Sequence, residues 1–144
     1  MSEFSISSPD FEEGGEIPKK FGYKHGNERP ALTLTPSKQL QAKMKSVAII
    51  MDDPDAMKAV GKVWVHFLEY YDDSGDHKIT GKNDFGEIGY GGPAPPDGLH
   101  TYVFKGYALD AVLDLKEGYS KQELEDAMKG HILGEAKLTG TFAP

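Results

Sequence analysis

Short apolar runs alternate with glycine- and proline-rich breaks along this chain, and no helical period persists for long. Ser46–Met51 (Ser-Val-Ala-Ile-Ile-Met) and Val63–Leu68 (Val-Trp-Val-His-Phe-Leu) are continuous apolar runs with β-branched content, the pattern of strands buried on both faces. Across His100–Leu109, Tyr102, Phe104 and Ala108 fall on one strand face and Val103, Tyr107 and Leu109 on the other. Ala136, Leu138, Gly140 and Phe142 alternate with Glu135, Lys137, Thr139 and Thr141, which predicts a half-exposed strand with its polar side outward. Phe4–Ile6 and Ala31–Leu34 are shorter strand candidates.

One segment reads clearly as helix. Ser120 and Glu123 have the spacing of a capping box, Leu124, Ala127 and Met128 supply an apolar face, and Gly130 marks the stop. The predicted helix covers Ser120–Lys129, and a short helical turn is expected at Ala111–Leu115. Asp72–Asp84 is polar and turn-rich, and reads as a surface connection between strands. The 17 glycines and 9 prolines are spread widely, which favours many short elements. The expected architecture is a mainly-β single domain over residues 1–144, a two-sheet β-sandwich with a short helix near the C-terminus.

Charge narrows the partners. The chain has 16 basic and 23 acidic residues, a net charge of −7, and Arg29 is its only arginine. A nucleic-acid binder shows a basic face and arginine forks, and this composition supplies neither. Attraction to an anionic membrane fails for the same reason. Any bound anion must therefore be held by local donors. With no cysteine, disulfides and thiol catalysis are excluded, and the composition suits a reducing cytoplasm. No run approaches the ~18 apolar residues of a membrane span, and no basic-then-apolar N-terminal segment has the form of a signal peptide. The expected location is cytoplasmic, without stable membrane insertion.

The richest stretch is Tyr90–Tyr102, Tyr-Gly-Gly-Pro-Ala-Pro-Pro-Asp-Gly-Leu-His-Thr-Tyr. A loop this rich in proline gives up backbone hydrogen bonds and helical options, so it earns its length by building something. It feeds a strand that opens with His100 and Tyr102, whose i, i+2 spacing puts both on one face. Upstream, Asp52-Asp53-Pro54-Asp55 follows the most apolar strand. Pro54 pushes Asp53 into extended geometry, so Asp53 and Asp55 are expected on one side; an ordinary solvated turn is the plainer reading of the same residues. His66 shares a face with Trp64, where a core histidine satisfied by one hydrogen bond is the plainer reading.

Together these groups suggest more. Three strand ends present Asp53 with Asp55, His66, and His100 with Tyr102. A carboxylate beside an imidazole favours the imidazolium. That cation, with N–H groups of the Gly-Gly loop, would hold a small anion in an otherwise acidic protein.

The sequence resembles the phosphatidylethanolamine-binding protein family, also called the Raf kinase inhibitor-like proteins, in its compact bacterial and archaeal form. The resemblance runs from Asn27 to Phe142. It is carried by Asn27-Glu28-Arg29-Pro30, Asp53-Pro54-Asp55-Ala56, Trp64-Val65-His66-Phe67 and Asn83-Asp84-Phe85-Gly86. It continues through Tyr90-Gly91-Gly92-Pro93 with Pro95-Pro96, Gly98-Leu99-His100-Thr101-Tyr102, Gly130-His131-Ile132-Leu133 and Leu138-Thr139-Gly140. Each motif alone is weak; their order and spacing are specific. The resemblance implies a β-sandwich with a pocket for phosphate, phosphorylated head groups and small oxyanions. Matched by position, the ligand-binding residues are Asp53, Asp55, His66, Gly92, Pro93, His100 and Tyr102. Two positions depart from the family pattern. Met57 stands where the family has proline, and Thr101 where it has arginine.

The expected function is a non-enzymatic binding or regulatory protein for a small anion, a phosphorylated head group or a carboxylate, needing no cofactor and no metal. The alternative is a protein inhibitor of serine proteases or kinases, for which a stiff Pro/Gly loop is a rigid contact surface. A hydrolase or metal site is a lesser alternative, since two aspartates and two histidines suit acid–base work but match no metal spacing, and no Gly-x-Ser-x-Gly elbow is present. The Pro93–Pro96 spacing formally fits an SH3-type ligand, yet it lies inside the proposed pocket wall. His25 and His77 read as solvated, and His131 as a group favoured by the helix C-terminus. The resemblance also suggests a homodimer.

Overall fold

The computed structural model describes residues 3–72 and 78–144. Eight strands and three short α-helices follow in the order β1 (Phe4–Ser7), β2 (Gly15–Glu16), β3 (Thr33–Pro36), α1 (Lys38–Gln41), β4 (Ser46–Asp53), α2 (Ala56–Val60), β5 (Trp64–Asp72), β6 (Lys78–Thr80), β7 (His100–Leu109), α3 (Lys121–Met128) and β8 (Ile132–Phe142) among the described residues, with one 3-10 turn at Lys19–Phe21. The main sheet has the order β2-β8-β7-β4-β5-β6, and β1 pairs with β3 in a second, two-stranded sheet. All main-sheet pairs are antiparallel except β2 with β8. The mainly-β, two-sheet expectation holds.

The apolar runs end up at the centre of the sheet for a physical reason. Ala48, Ile49, Ile50 and Met51 of β4 are all buried because both faces of that strand are covered. On one face Ile49, Met51, Phe67, Tyr102, Phe104 and Leu138 pack with Ile6, Phe11, Ile17 and Phe21. On the other, Ala48, Ile50, Leu68, Tyr70 and Leu109 pack under Leu124 and Met128 of α3. The small sheet approaches closely where a side chain is missing: a Cβ on Gly106 would stand 2.9 Å from Leu34 and 3.4 Å from Phe4.

Helix α3 is set as its sequence requires. Ser120 Oγ accepts from the Glu123 amide at 3.1 Å, Glu123 Oε1 accepts from the Ser120 amide at 3.0 Å, and Gly130 takes a left-handed φ of 82° at the stop. Ala111–Leu115 is not helical. Its polar groups bond elsewhere: Ala111 O accepts from Ser46 Oγ, and the Leu113 amide donates to Tyr70 Oη at 2.7 Å. Tertiary partners thus outcompete the helical turn. The polar stretch Asp72–Asp84 carries more structure than a surface connection needs, since Lys78–Thr80 pairs with Glu69–Tyr71 as β6. His77 lies outside the described residues.

The single arginine has a structural post. Arg29 Nε and Nη2 donate to the two carboxylate oxygens of Glu69 at 2.8 and 2.7 Å, and the guanidinium lies over Phe67 at 5.5 Å. Tyr71 Oη adds a third donor to Glu69 at 2.7 Å, so this buried carboxylate is fully held.

Candidate functional site

A β-bulge aims the first histidine. Met51 pairs with Phe67 while Asp52 pairs with Val65, which leaves His66 as the extra residue on β5. His66 and Phe67 therefore both face β7: the His66 ring packs edge-on to Tyr102 at 5.1 Å and 79°, and the Phe67 ring lies 6.3 Å from Phe104. Val65 points to the opposite face, among Leu68 and Tyr70.

The glycine–proline loop is tied to that bulge. His66 Nδ1 lies 2.6 Å from the Gly91 carbonyl, and the Gly91 amide donates to the His66 carbonyl at 2.9 Å. Facing a carbonyl, Nδ1 must carry the hydrogen and donate it. Burial holds this imidazole below its ordinary value of 6.5, against the opposing pull of the Gly91 and Gly92 backbone and of Asp53 and Asp52. His66 is a neutral ring.

Two asparagines hold the loop from outside. Asn27, in a left-handed conformation with φ of 54°, accepts from the Gly92 amide at 2.7 Å and donates to Tyr90 O at 3.2 Å. Asn83 is buried, accepts from the Phe85 and Glu87 amides and donates to Gly89 O. Phe85, held in this way, stacks on Tyr23 at 4.0 Å and meets His66 edge-on at 5.7 Å.

The second histidine is held quite differently. His100 opens β7, with Nδ1 2.6 Å from Asp53 Oδ2 and Nε2 2.6 Å from Asp97 Oδ1. Burial pulls this imidazole down, but the hydrogen bonds and charges of Asp53 and Asp97 outweigh it, and the net shift is upward from 6.5. Asp53 serves twice, since its Oδ1 also accepts from the Asp55 amide at 2.9 Å and closes the turn into α2.

Tyr102 completes the group. Burial, then the charge of Asp53, pushes its phenol far above the ordinary value, so it stays a neutral donor. Its hydroxyl lies beside Asp53 and the Ala94 backbone without meeting hydrogen-bond geometry to either, and is buried without a partner. Trp64 Nε1 is likewise buried and unpartnered.

Asp53, His66, His100, Tyr102 and Trp64 line one cavity of about 120 Å³, with Phe85, Ala94, Pro96 and the α2 residues Ala56, Ala59 and Val60. That is close to the roughly 150 Å³ that accommodates a benzene ring, so a ligand of a few heavy atoms fits. Among the described residues lining it, His100 is the one ring held between two carboxylates.

Three residues expected at the ligand do not line this cavity. Asp55 is exposed on the outer side of the turn, where it accepts from the Thr101 amide at 2.8 Å. Gly92 is behind the wall with its amide given to Asn27, and Pro93 O accepts from the Tyr23 amide at 2.9 Å. The Gly-Gly amides are therefore spent on the fold, and the donors left over come from side chains. Of the two histidines, His100 is the one set between carboxylates, while His66 is buried against a carbonyl.

Sequence reading also passed over contributors. Trp64 and Phe85 were visible only as motif residues, and Asp97 only by its i, i+3 spacing to His100. The roles of Asn27 and Asn83 depend on contacts with a remote loop. Among the described residues, no group of three or more His, Cys, Asp or Glu side chains could hold a metal ion.

Comparison with known proteins agrees with the fold. Residues 7–143 match the family described as phosphatidylethanolamine-binding protein. A UPF0098 protein of Methanothermobacter thermautotrophicus is 41% identical, with 96% of this chain and 97% of that protein covered. One from Chlamydia trachomatis is 35% identical, covering 95% of this chain and 97% of that protein. The crystal structure of CT736 from Chlamydia trachomatis, a putative phosphatidylethanolamine-binding protein homologue, superposes with a TM-score of 0.85 at 34% identity, covering 98% and 97% of the two chains. Escherichia coli YbcL, described as a member of the mammalian family, shares the fold with a TM-score of 0.84 at 24% identity, covering 98% of each chain. This chain, over nearly its whole length, belongs to the phosphatidylethanolamine-binding protein family.

Proposed function

We propose that this protein binds a small oxyanion, such as phosphate, a phosphorylated head group or a carboxylate, in the cavity between His66 and His100, and that it acts by binding rather than by catalysis. Family membership supports a binding or regulatory role in general. One observation carries the finer reading. The cavity contains the buried His100 ring clamped between Asp53 and Asp97, next to the unpartnered hydroxyl of Tyr102. A buried donor without an acceptor is costly, and a ligand oxygen would relieve that cost.

Electrostatics restrict what enters. His100 is held between Asp53 and Asp97, so the cavity offers directed donors rather than net positive charge. The walls contributed by Ala56, Ala59, Val60 and Phe85 are apolar, and they strengthen each polar contact by excluding water. A regulatory role through a protein partner, in a reducing cytoplasm, fits a cysteine-free chain with this preformed site.

Calorimetric titration with inorganic phosphate and with acetate tests the reading. Wild type should bind at least one of them, and His100→Ala should lose about one to two orders of magnitude of affinity through the missing charged donor. Equal affinity in wild type and His100→Ala would place the ligand elsewhere.

A further inference from the structure

The outer hydrogen of His100 is already taken. His100 Nε2 lies 2.6 Å from Asp97 Oδ1, three positions upstream in the Pro-rich loop. The two partners differ sharply in exposure: the His100 side chain is 4% exposed and that of Asp97 49%. Asp53, at the other nitrogen, is as buried as the histidine. One carboxylate is thus built into the core, while the other sits on top and half in solvent.

Position adds a second argument. His100 is the one residue lining both the inner cavity and a shallow outer depression that also includes Asp97, Asp55, Lys58 and Leu99. Asp97 covers the imidazolium from the outer side. Its loop neighbour Gly98 has a φ of 156°, on the edge of the range that only glycine tolerates well, and Leu99 is 64% exposed. The geometry of a carboxylate on an imidazolium N–H is also the geometry an incoming carboxylate or phosphate oxygen would adopt.

We infer that Asp97 is a tethered competitor for an oxyanion at His100: its carboxylate holds the Nε2 position from the outer side, and a ligand engages that nitrogen by displacing it. This rests on the oxyanion reading above and identifies the residue that tunes it. Asp97 sets both affinity and selectivity. A ligand has to be a better acceptor than an intramolecular carboxylate, so neutral polar molecules of the same size are rejected. On displacement, Asp97 swings off His100 within the outer depression that Lys58 also lines.

Four proteins and one probe decide the matter: inorganic phosphate titrated into wild type, Asp97→Asn, Asp97→Ala and Asp55→Asn. Removing the competitor should tighten phosphate binding about tenfold in Asp97→Ala, the worth of one half-exposed charge-assisted hydrogen bond. Asp97→Asn should fall between, because its amide oxygen is a weaker competitor. In ligand-free protein, the His100 ring followed by NMR should titrate lower in both variants. Asp55→Asn removes an equal charge at the same mouth without touching His100, and should give a clearly smaller gain. Unchanged or weaker binding in both Asp97 variants, with wild type still binding, would overturn the competitor while leaving the oxyanion site standing. An equal gain in Asp55→Asn would reduce the effect to general repulsion and also overturn it. Absence of binding in all four proteins would remove the oxyanion site and the competitor together.

Discussion

His100 Nδ1 lies 2.6 Å from Asp53 Oδ2 across 47 positions of sequence, and each side chain is only 4% exposed. This pair joins the end of β4 to the start of β7 and sets the charge of the cavity. The stability consequence has a definite sign. The folded-state value of His100 is raised, so its contribution is fully present below the unfolded value of 6.5 and is lost as pH rises through the folded value. Asp53→Asn should cost roughly 1–3 kcal/mol at pH 6 and less at pH 9. Urea unfolding across that range checks it; a pH-independent cost would contradict the ion pair.

His66 runs the other way. Its folded-state value is lowered, chiefly by burial, so the folded protein is penalised as pH falls below 6.5. His66→Gln keeps a donor for the Gly91 carbonyl but cannot take up a proton. The variant should therefore lose part of the acid sensitivity of wild type. An unchanged acid limb in denaturant titrations between pH 4 and 7 would assign that limb to other groups.

Tyr102→Phe separates stability from binding. The hydroxyl is buried and unpartnered, so its removal should leave the ligand-free fold unchanged or up to about 1 kcal/mol more stable. Phosphate or acetate affinity should nevertheless drop by roughly tenfold as a donor is lost. Thermal melts with and without ligand read both effects. A destabilised apo-protein would mean that the hydroxyl has a partner within the fold.

Gly92 is a steric position. A Cβ there would overlap the Phe21 carbonyl oxygen and crowd the Tyr23 amide at 2.9 Å. Gly92→Ala should shift the loop off Asn27 and destabilise by about 2–4 kcal/mol, in the range of severe overpacking. Gly86→Ala is the contrast: its φ of 86° is strained for alanine but its Cβ site is open, so the cost should stay near 1 kcal/mol. Equal costs would mean that crowding at Gly92 is not the dominant effect.

Arg29→Ala would strand Glu69 in the core with only Tyr71 as donor. The expected loss is about 3 kcal/mol, the lower end for a broken buried pair because Arg29 is partly exposed. Replacing both partners, Arg29→Met with Glu69→Gln, should recover much of it. Failure of the double variant to recover would assign Arg29 a packing role on Phe67 rather than a neutralising one.

Some of this was legible in the chain itself. Near-continuous apolar runs at Ser46–Met51 and Val63–Leu68 marked the central strands, because a strand covered on both faces has no solvent-facing side for polar alternation. The i, i+2 relation of His100 and Tyr102 follows from strand periodicity, and the Ser120–Glu123 box from local capping chemistry. These features depend on neighbours within a few residues, which is why they can be read without a structure.

Other features were settled only by tertiary contacts. Alternation gives His66 the face of Trp64, but the bulge that turns Phe67 to the same face is a property of pairing with β4. Ala111–Leu115 lost its helical turn to Ser46 and Tyr70, and Asp55 turned outward onto Thr101. Ala94 and Pro96 of the loop motif line the cavity, yet the motif could not say which of its polar groups stay free. That depends on Asn27, 65 positions before Gly92, and on His66, 25 positions before Gly91. A hydrogen bond engages a donor once, so the chemistry left for a ligand is what remains after folding has satisfied every group it can reach. That remainder is fixed by non-local geometry, which sequence spacing does not encode.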